Sequence, residues 1–232
     1  MLYAGVDHHT KTSHITVVDE NGDIVRRKGI SSNGDDVRKV LEEFNEPIKA
    51  VLEAGYNWGK MYDWLGEVAD EVVLAHPTKV RAIAEARIKN DKIDSLTLAH
   101  LLKADLIPEA YACSAETRAV KRVLRQRMFL VRVQTMFKNR IHATVSQHDV
   151  KKPEVTDLFG AKGTRWLSGI DLPYPDNLIL EEDLRFLSEV KTRIKATEGL
   201  IRELSRGDQA VKLLKSIPGI GDFFSVLIRY EV

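Results

Sequence analysis

The sequence has very little cysteine and no long apolar run. A single cysteine, Cys113, excludes an internal disulfide and a zinc site built from cysteines. No apolar stretch approaches the roughly 20 residues that a membrane-spanning helix needs. The N-terminal residues MLYAGVDHHT lack the basic flank and apolar segment of a signal peptide. These absences predict a chain with no membrane segment in a reducing, cytoplasmic location.

What is present allows a buried core, since 44% of the residues are hydrophobic and 30% are charged. The net charge of +1 does not by itself indicate a nucleic-acid partner. The distribution of charge is more informative, because residues 117–148 contain no Asp or Glu. The same segment contains eight basic residues: Arg118, Lys121, Arg122, Arg125, Arg127, Arg132, Lys138 and Arg140.

The first hundred residues have the pattern of an α/β domain. Short, β-branched runs at 2–7, 13–20 and 23–30 predict three strands, and Asn21–Gly22 between the last two is a strong hairpin signal. Helical and strand patterns then alternate. Further strands are predicted at 47–54 and 70–77, and helices at 32–44, 57–68, 77–86 and 91–103. An antiparallel hairpin followed by βαβ units predicts a mixed sheet of the RNase H-like kind.

The second half has the pattern of long helices. Residues 115–148 and about 180–205 have helical periodicity, which predicts an antiparallel helical hairpin, or coiled coil. An apolar stripe on the first helix, which includes Phe129 and Met136, predicts packing within this hairpin and homo-oligomers formed through it. The predicted domains are therefore an α/β domain at 1–110, the hairpin at 111–207 and the start of a third domain at 208–232.

Four acids stand where such a fold gathers functional groups. Asp7 and Glu53 each end a predicted strand, and strand ends in α/β sheets form sites. Asp91 and Asp94 open a predicted helix three residues apart, so both can lie on one face. Carboxylate oxygens are the ligands that Mg²⁺ prefers, and a cluster of carboxylates repels itself without cations. The pattern predicts a Mg²⁺ site, with Mn²⁺ as an alternative metal, although Asp91 also suits the role of a helix cap.

The basic segment is the main candidate for nucleic-acid binding. Its side chains would neutralise phosphates and release counterions, unless they pair with acids on the second long helix. The segment IPGIG at 217–221 resembles the turn of a helix-hairpin-helix, whose glycines let backbone amides approach a phosphate. An ordinary turn between helices is the alternative. The predicted nucleic-acid contacts are Arg118, Lys121, Arg122, Arg125, Lys138, Arg140, Gly219 and Gly221.

Several motifs together resemble the DEDD-type insertion-sequence transposases, the insertion-sequence-one-ten group. They are GVDHHTKTSHITVVDENG, VLEAGYNWGKMYDWL, AHPTKVRAIAEARIKNDKIDSLTLAHLL and SIPGIG. The resemblance covers nearly all of the chain. It implies a RuvC-like first domain whose catalytic and metal-binding acids map onto Asp7, Glu53, Asp91 and Asp94.

The same resemblance implies DNA strand exchange guided by a structured bridge RNA. In this family a nucleophilic serine follows the PGIG segment, and Ser225 stands too close to that segment to take the role. We therefore expect a chain truncated before the serine-bearing domain. A metal-dependent, RuvC-like nuclease and a non-catalytic nucleic-acid-binding module remain alternative functions. A sugar-kinase-like ATPase is less favoured, because glycine-rich phosphate loops are missing downstream of the first strands.

Overall fold

This computed structural model describes residues 1–83 and 91–231, and for residues 91 and 92 it describes the backbone alone. The chain divides into two compact units, which we call unit 1 (Met1–Cys113) and unit 2 (Ser114–Val232). No helix in the described ranges is both long enough and apolar enough to cross a membrane.

Unit 1 is an α/β unit built on a five-stranded mixed sheet, which confirms the predicted class. The strands are β1 (Leu2–His8), β2 (Thr12–Val18), β3 (Ile24–Ser31), β4 (Ile48–Glu53) and β5 (Glu71–Ala75). The helices are α1 (Gly34–Leu41), α2 (Trp58–Gly66), α3 (Pro77–Ile83) and α4 (Asp91–Lys103). Predicted helical residues after Ile83, up to residue 86, lie outside the described part of the chain.

The strand order is β3-β2-β1-β4-β5, with β1 antiparallel to β2 and parallel to β4. This order is consistent with an RNase H-like fold. The predicted hairpin between β2 and β3 is confirmed, and Gly22 in its turn has a φ of +95° that suits glycine. The side chain of Asp19 accepts hydrogen bonds from the backbone amides of Asn21, Gly22 and Asp23, which fixes the turn.

Alternation along the strands divides the residues of the sheet between two faces. Val6, Ile15 and Leu52 point to one face, where they pack with residues of α1 and α2. Tyr3 and Val51 point to the other face, where they pack with Leu98 and Leu102 of α4. We call this second side the α4 face.

Helix α4 lies unusually close to β1, because Gly5 has no side chain. A Cβ atom built on Gly5 would stand 2.0 Å from the carbonyl oxygen of Ser95 and 2.5 Å from the amide nitrogen of Ala99. The Ser95 hydroxyl also forms a buried hydrogen bond of 2.8 Å with the Thr16 hydroxyl. At the carboxyl end of α4, Lys103 donates a hydrogen bond to the carbonyl oxygen of Glu20 in the β2–β3 turn. Since that turn adjoins the start of β1, α4 runs antiparallel to β1 and begins near its carboxyl end.

Unit 2 is helical in its described residues. Its helices are α5 (Ala115–Ser146), α6 (Ala161–Leu167), α7 (Asp176–Leu204), α8 (Gln209–Lys215) and α9 (Asp222–Glu231). Helix α6 falls where the sequence predicted a loop. Helix α7 begins four residues before its predicted start, directly after Pro175, a position where the missing amide of proline costs a helix little.

The two long helices pack against each other in antiparallel directions. Arg127 pairs with Glu198 near one end, and Arg140 pairs with Asp183 nearer the other. Leu130 lies in a buried cluster with Val190 and Ile194. The packing stripe predicted for the first helix is wrong at two positions, because Phe129 is 57% exposed and Met136 is 52% exposed. A coiled coil in the strict sense stays a prediction.

Candidate carboxylate site and basic surfaces

Asp7 and Glu53 end neighbouring parallel strands on the same face of the sheet. The register pairs Val6 with Leu52, so the next residues along the two strands are Asp7 and Glu53. Both follow the alternation that turns Gly5 and Val51 toward α4. The side chain of Asp7 is 19% exposed, and that of Glu53 is exposed. Two carboxylates therefore lie at the carboxyl edge of the sheet, on the α4 face.

Helix α4 brings its first turn to this edge. Asp94 is half-buried and directly precedes Ser95, the residue whose carbonyl oxygen lies against Gly5. Asp91 begins the helix, as predicted for a helix-opening residue, but its side chain lies outside the described part of the chain, as do Lys89 and the side chain of Lys92. Three of the four predicted site acids thus stand at one edge and on one face of unit 1.

Acids that lie at one edge of a sheet do not by themselves surround a metal ion. Among the side chains that the structure describes, no three His, Cys, Asp or Glu groups are close enough to hold a metal ion together. The donor chemistry nevertheless suits Mg²⁺, because Asp7, Glu53 and Asp94 all offer carboxylate oxygens. The four-acid site therefore stays a prediction that is supported by the placement of three of its members.

Three histidines near Asp7 fall on different sides of the sheet. His9 Nε2 lies 3.2 Å from Asp7 Oδ2, and His14 is the cross-strand partner of Asp7 on the α4 face. His8 points to the opposite face, where its Nδ1 lies 2.8 Å from the hydroxyl of Ser13. Burial lowers the pKa of His8 and the neighbouring His9 lowers it further, against an opposing hydrogen bond to the backbone of Asn57. The structure thus turns His8 away from the acids and sets His9 and His14 beside Asp7.

The pairing register of β1 with β2 is what separates His8 from His14. The side chains of His14 and Thr16 point to the same face of the sheet, because the two residues are two apart along β2. For the same reason Asp7, the cross-strand partner of His14, lies on the same face as Gly5. Gly29 lies across from His14 on β3, and a Cβ atom there would stand 3.2 Å from His14 Nε2. Pairing register, once assigned, therefore places His14 on the side of the carboxylates.

The basic residues of α5 differ in how far they are paired. Arg125 and Lys121 both form ion pairs with Glu231, at 2.8 and 3.7 Å. Arg140 reaches Asp183, whose side chain is only 4% exposed. Lys138 Nζ lies 5.2 Å from the centre of the Phe159 ring. Part of the predicted phosphate-binding charge is therefore used within unit 2, while the side chains of Arg122 and Arg132 are exposed.

The segment at 217–221 connects two helices, as a helix-hairpin-helix would. Helix α8 ends at Lys215, α9 begins at Asp222, and Gly219 has a φ of +90°. Gly219 and Gly221 are exposed, and a Cβ atom built on either would meet nothing within 4 Å. Helix α9 is well supported, because Val226 is buried in one cluster with Val120, Leu124, Ile201 and Val211.

Comparison with known proteins agrees with this arrangement. A family model for DEDD-type transposases of the IS110 group, described as "Transposase", matches residues 4–149. The chain is also 25% identical over 244 residues to the transposase for insertion sequence element IS1533 from Leptospira borgpetersenii, covering all of this chain and 69% of that relative. Because the family match spans more than half of the 232 residues, the chain belongs to the DEDD transposases of the IS110 type.

Proposed function

We propose that this transposase acts on the DNA of an insertion sequence element by metal-dependent phosphodiester cleavage and strand exchange. The observation that supports it best is the meeting of Asp7, Glu53 and the start of α4 at one edge of the sheet. The relative from Leptospira borgpetersenii, a transposase for an insertion sequence element, supports the choice of substrate. Cleavage without strand exchange, as by a RuvC-like nuclease, needs the same acids and is the second candidate.

In this proposal Asp7, Glu53, Asp91 and Asp94 hold Mg²⁺ or Mn²⁺. The bound metal would supply charge stabilisation at the attacking and leaving oxygens of a phosphodiester. The role of the protein chain in this proposal is to position the acids. The parallel register, which puts Asp7 next to Glu53, and the close contact of α4 with Gly5 support a site whose acids are positioned before a ligand binds. His9 and His14 are further polar groups at this edge.

We also propose that unit 2 contacts nucleic acid through Arg118, Lys121, Arg122, Arg125, Lys138 and Arg140, and through the turn at Gly219 and Gly221. Contacts of this kind position a phosphate backbone and do not read its sequence. Guidance by a structured bridge RNA, which the resemblance to the family implies, is a further part of this proposal. Association of two copies through the long helices is part of the same proposal.

The substitution Asp7→Asn tests the metal site. It removes one carboxylate and keeps the size of the side chain, so titration calorimetry with MgCl₂ or MnCl₂ should show a loss of metal affinity of at least tenfold. Asp35→Asn is the matched control, because Asp35 is 81% exposed at the start of α1 and its partner is Arg38. Equal metal affinity in both variants, with both folded by circular dichroism, would refute the site.

A further inference from the structure

Helix α5 carries a second, solvent-facing stripe that the packing of unit 2 does not use. Arg122, Arg125, Phe129, Arg132 and Met136 follow one another at intervals of three or four residues, which places them on one side of a helix. All five are exposed. We call this set the α5 stripe.

The α5 stripe lies opposite the buried side of the helix. The buried positions of α5 are Val120, Leu124, Leu130, Ile141 and Val145. On the stripe, Phe129 and Met136 keep more than half of their surface in water. They lie seven residues, or about two helical turns, apart with Arg132 between them, so the α5 stripe alternates exposed apolar and cationic side chains.

The charge of the α5 stripe favours a polyanion as its partner. No acidic residue occurs between Thr117 and His148, so α5 itself contributes positive charge alone along the stripe. Arg125 shares Glu231 with Lys121, which leaves excess positive charge around that acid. In the part of the chain that the structure describes, Arg122 and Arg132 have no ion pair. A second copy seated on this stripe in the same way would bring arginine against arginine, whereas a polyanion would neutralise it.

The exposed ring of Phe129 favours a single-stranded over a double-stranded nucleic acid as the polyanion. Phe129 lies about one helical turn from Arg125 on one side and from Arg132 on the other. A base can therefore stack on the ring while the flanking phosphates reach the guanidinium groups, the combination that single-strand binding proteins use. In a duplex, stacking between neighbouring bases covers their faces, so an exposed phenylalanine would make little stacking contact with duplex DNA. The choice of DNA over RNA comes from the proposed function, because the exposed amide of Gln126, next to Arg122 and Phe129 on the helix, suits either nucleic acid.

From these features we propose that the α5 stripe binds an unpaired segment of DNA, with Phe129 stacked on a base and Arg122, Arg125 and Arg132 at phosphates. The inference rests on the proposed action on DNA, and it specifies which state of DNA unit 2 holds. Strand exchange requires that strands leave their duplex, and this surface would hold a strand while it is unpaired.

The test compares Phe129→Ala with the full-length wild-type chain by fluorescence anisotropy. The probe is a fluorescein-labelled 20-nucleotide DNA of mixed sequence, used as a single strand and as a duplex. Loss of one stacking contact should weaken single-strand binding on the order of ten- to a hundredfold. Duplex affinity should change less than about twofold, and the salt dependence of single-strand binding should stay the same, since no phosphate contact is lost.

Three controls make the result specific. Phe129→Tyr keeps a stacking ring and should retain single-strand affinity. Phe186→Ala removes an equally exposed phenylalanine from α7 and should leave affinity unchanged. The double variant Arg122→Gln/Arg132→Gln should weaken binding to both DNA forms and reduce the salt slope by about two phosphate contacts.

Each contrary outcome overturns a defined part of the proposal. Unchanged single-strand affinity in Phe129→Ala, with wild-type binding intact, refutes the stripe and leaves the proposed function standing. If the wild-type chain binds neither DNA form, the proposed nucleic-acid contacts of unit 2 also fail. At least tenfold tighter binding of RNA of the same sequence refutes DNA as the occupant. A dimer by light scattering that becomes monomeric in Phe129→Ala would assign the stripe to a second copy.

Discussion

The acidic side chains of unit 1 and the basic side chains of unit 2 are held in different ways. Asp7 and Glu53 end strands of a buried sheet, and a helix lies against that sheet at backbone contact. The arginines of α5 project from the surface of a long helix, and several of them share acids of other helices. Rigid placement suits a site that must hold a small ion, whereas long mobile side chains suit a flexible polyanion. Substitutions in the two units should therefore differ sharply in their effects.

The largest effect is expected from Gly5→Ala. The added methyl group would overlap the backbone of Ser95 and Ala99, which cannot move aside as a flexible side chain can. We expect the free energy of unfolding of unit 1 to fall by about 3 kcal/mol or more, measured by urea denaturation. Gly66→Ala is the matched control, because a Cβ atom there meets nothing within 4 Å, and it should change stability by less than about 1 kcal/mol. Equal urea midpoints for the two variants would contradict the close contact of α4 with β1.

An intermediate effect is expected from Arg140→Met in unit 2. The substitution leaves the carboxylate of Asp183 buried without its ion pair, although solvent around the half-exposed Arg140 already screens this pair. A loss of about 1–2 kcal/mol in the free energy of unfolding should result. Arg122→Met should cost less than about 0.5 kcal/mol, since its side chain is exposed.

The double variant Arg140→Met/Asp183→Leu sharpens this comparison. Replacing both members by apolar groups removes the buried charge, so most of the stability lost in Arg140→Met should return. A double variant less stable than Arg140→Met would show that Asp183 acts through other contacts.

The smallest effect on the free energy of unfolding is expected from substitutions at helix caps, and for one cap it depends on pH. Burial acts to raise the pKa of Asp208, but hydrogen bonds from the backbone amides of Val211 and Ala210 and from Arg229 outweigh it, so the pKa lies below 3.8. The ionised cap therefore stabilises α8 fully above pH 3.8, and this contribution disappears as the pH falls through the lowered pKa. Asp208→Asn should lose less than about 1 kcal/mol at pH 7. The difference from wild type should shrink at pH 3 and below.

Asn33 provides the neutral comparison in unit 1, where its side chain accepts a hydrogen bond from the amide of Asp36. Asn33→Ala should cost about 1 kcal/mol at pH 7. Since the asparagine cap has no charge to lose, this cost should depend less on pH than that of Asp208→Asn. Chemical denaturation at several pH values measures both. A difference for Asp208→Asn that is constant down to pH 2 would contradict the lowered pKa.

Patterns local in sequence were the most predictable part of the molecule. The Asn-Gly turn and the start of α4 at Asp91 follow from neighbouring residues, and the parallel pairing of β1 with β4 follows from the order of elements. The exposure of Phe129 was not predictable, because it depends on which side of α5 meets α7. Helix α6 was missed because seven residues give too few turns for a periodic signal. The separation of His8 from His14 needed a pairing register, which only the assembled sheet supplies.

The direction of α4 has a consequence for the order in which unit 1 folds and binds metal. The partial positive charge at the start of a helix stabilises nearby carboxylates by about 0.3–1 kcal/mol each. Because α4 points this end at the edge that carries Asp7 and Glu53, the repulsion among the acids is partly offset by the backbone itself. We therefore expect unit 1 to fold without metal, so that binding at the proposed site would be a separate equilibrium, unlike small domains whose folding depends on a bound ion.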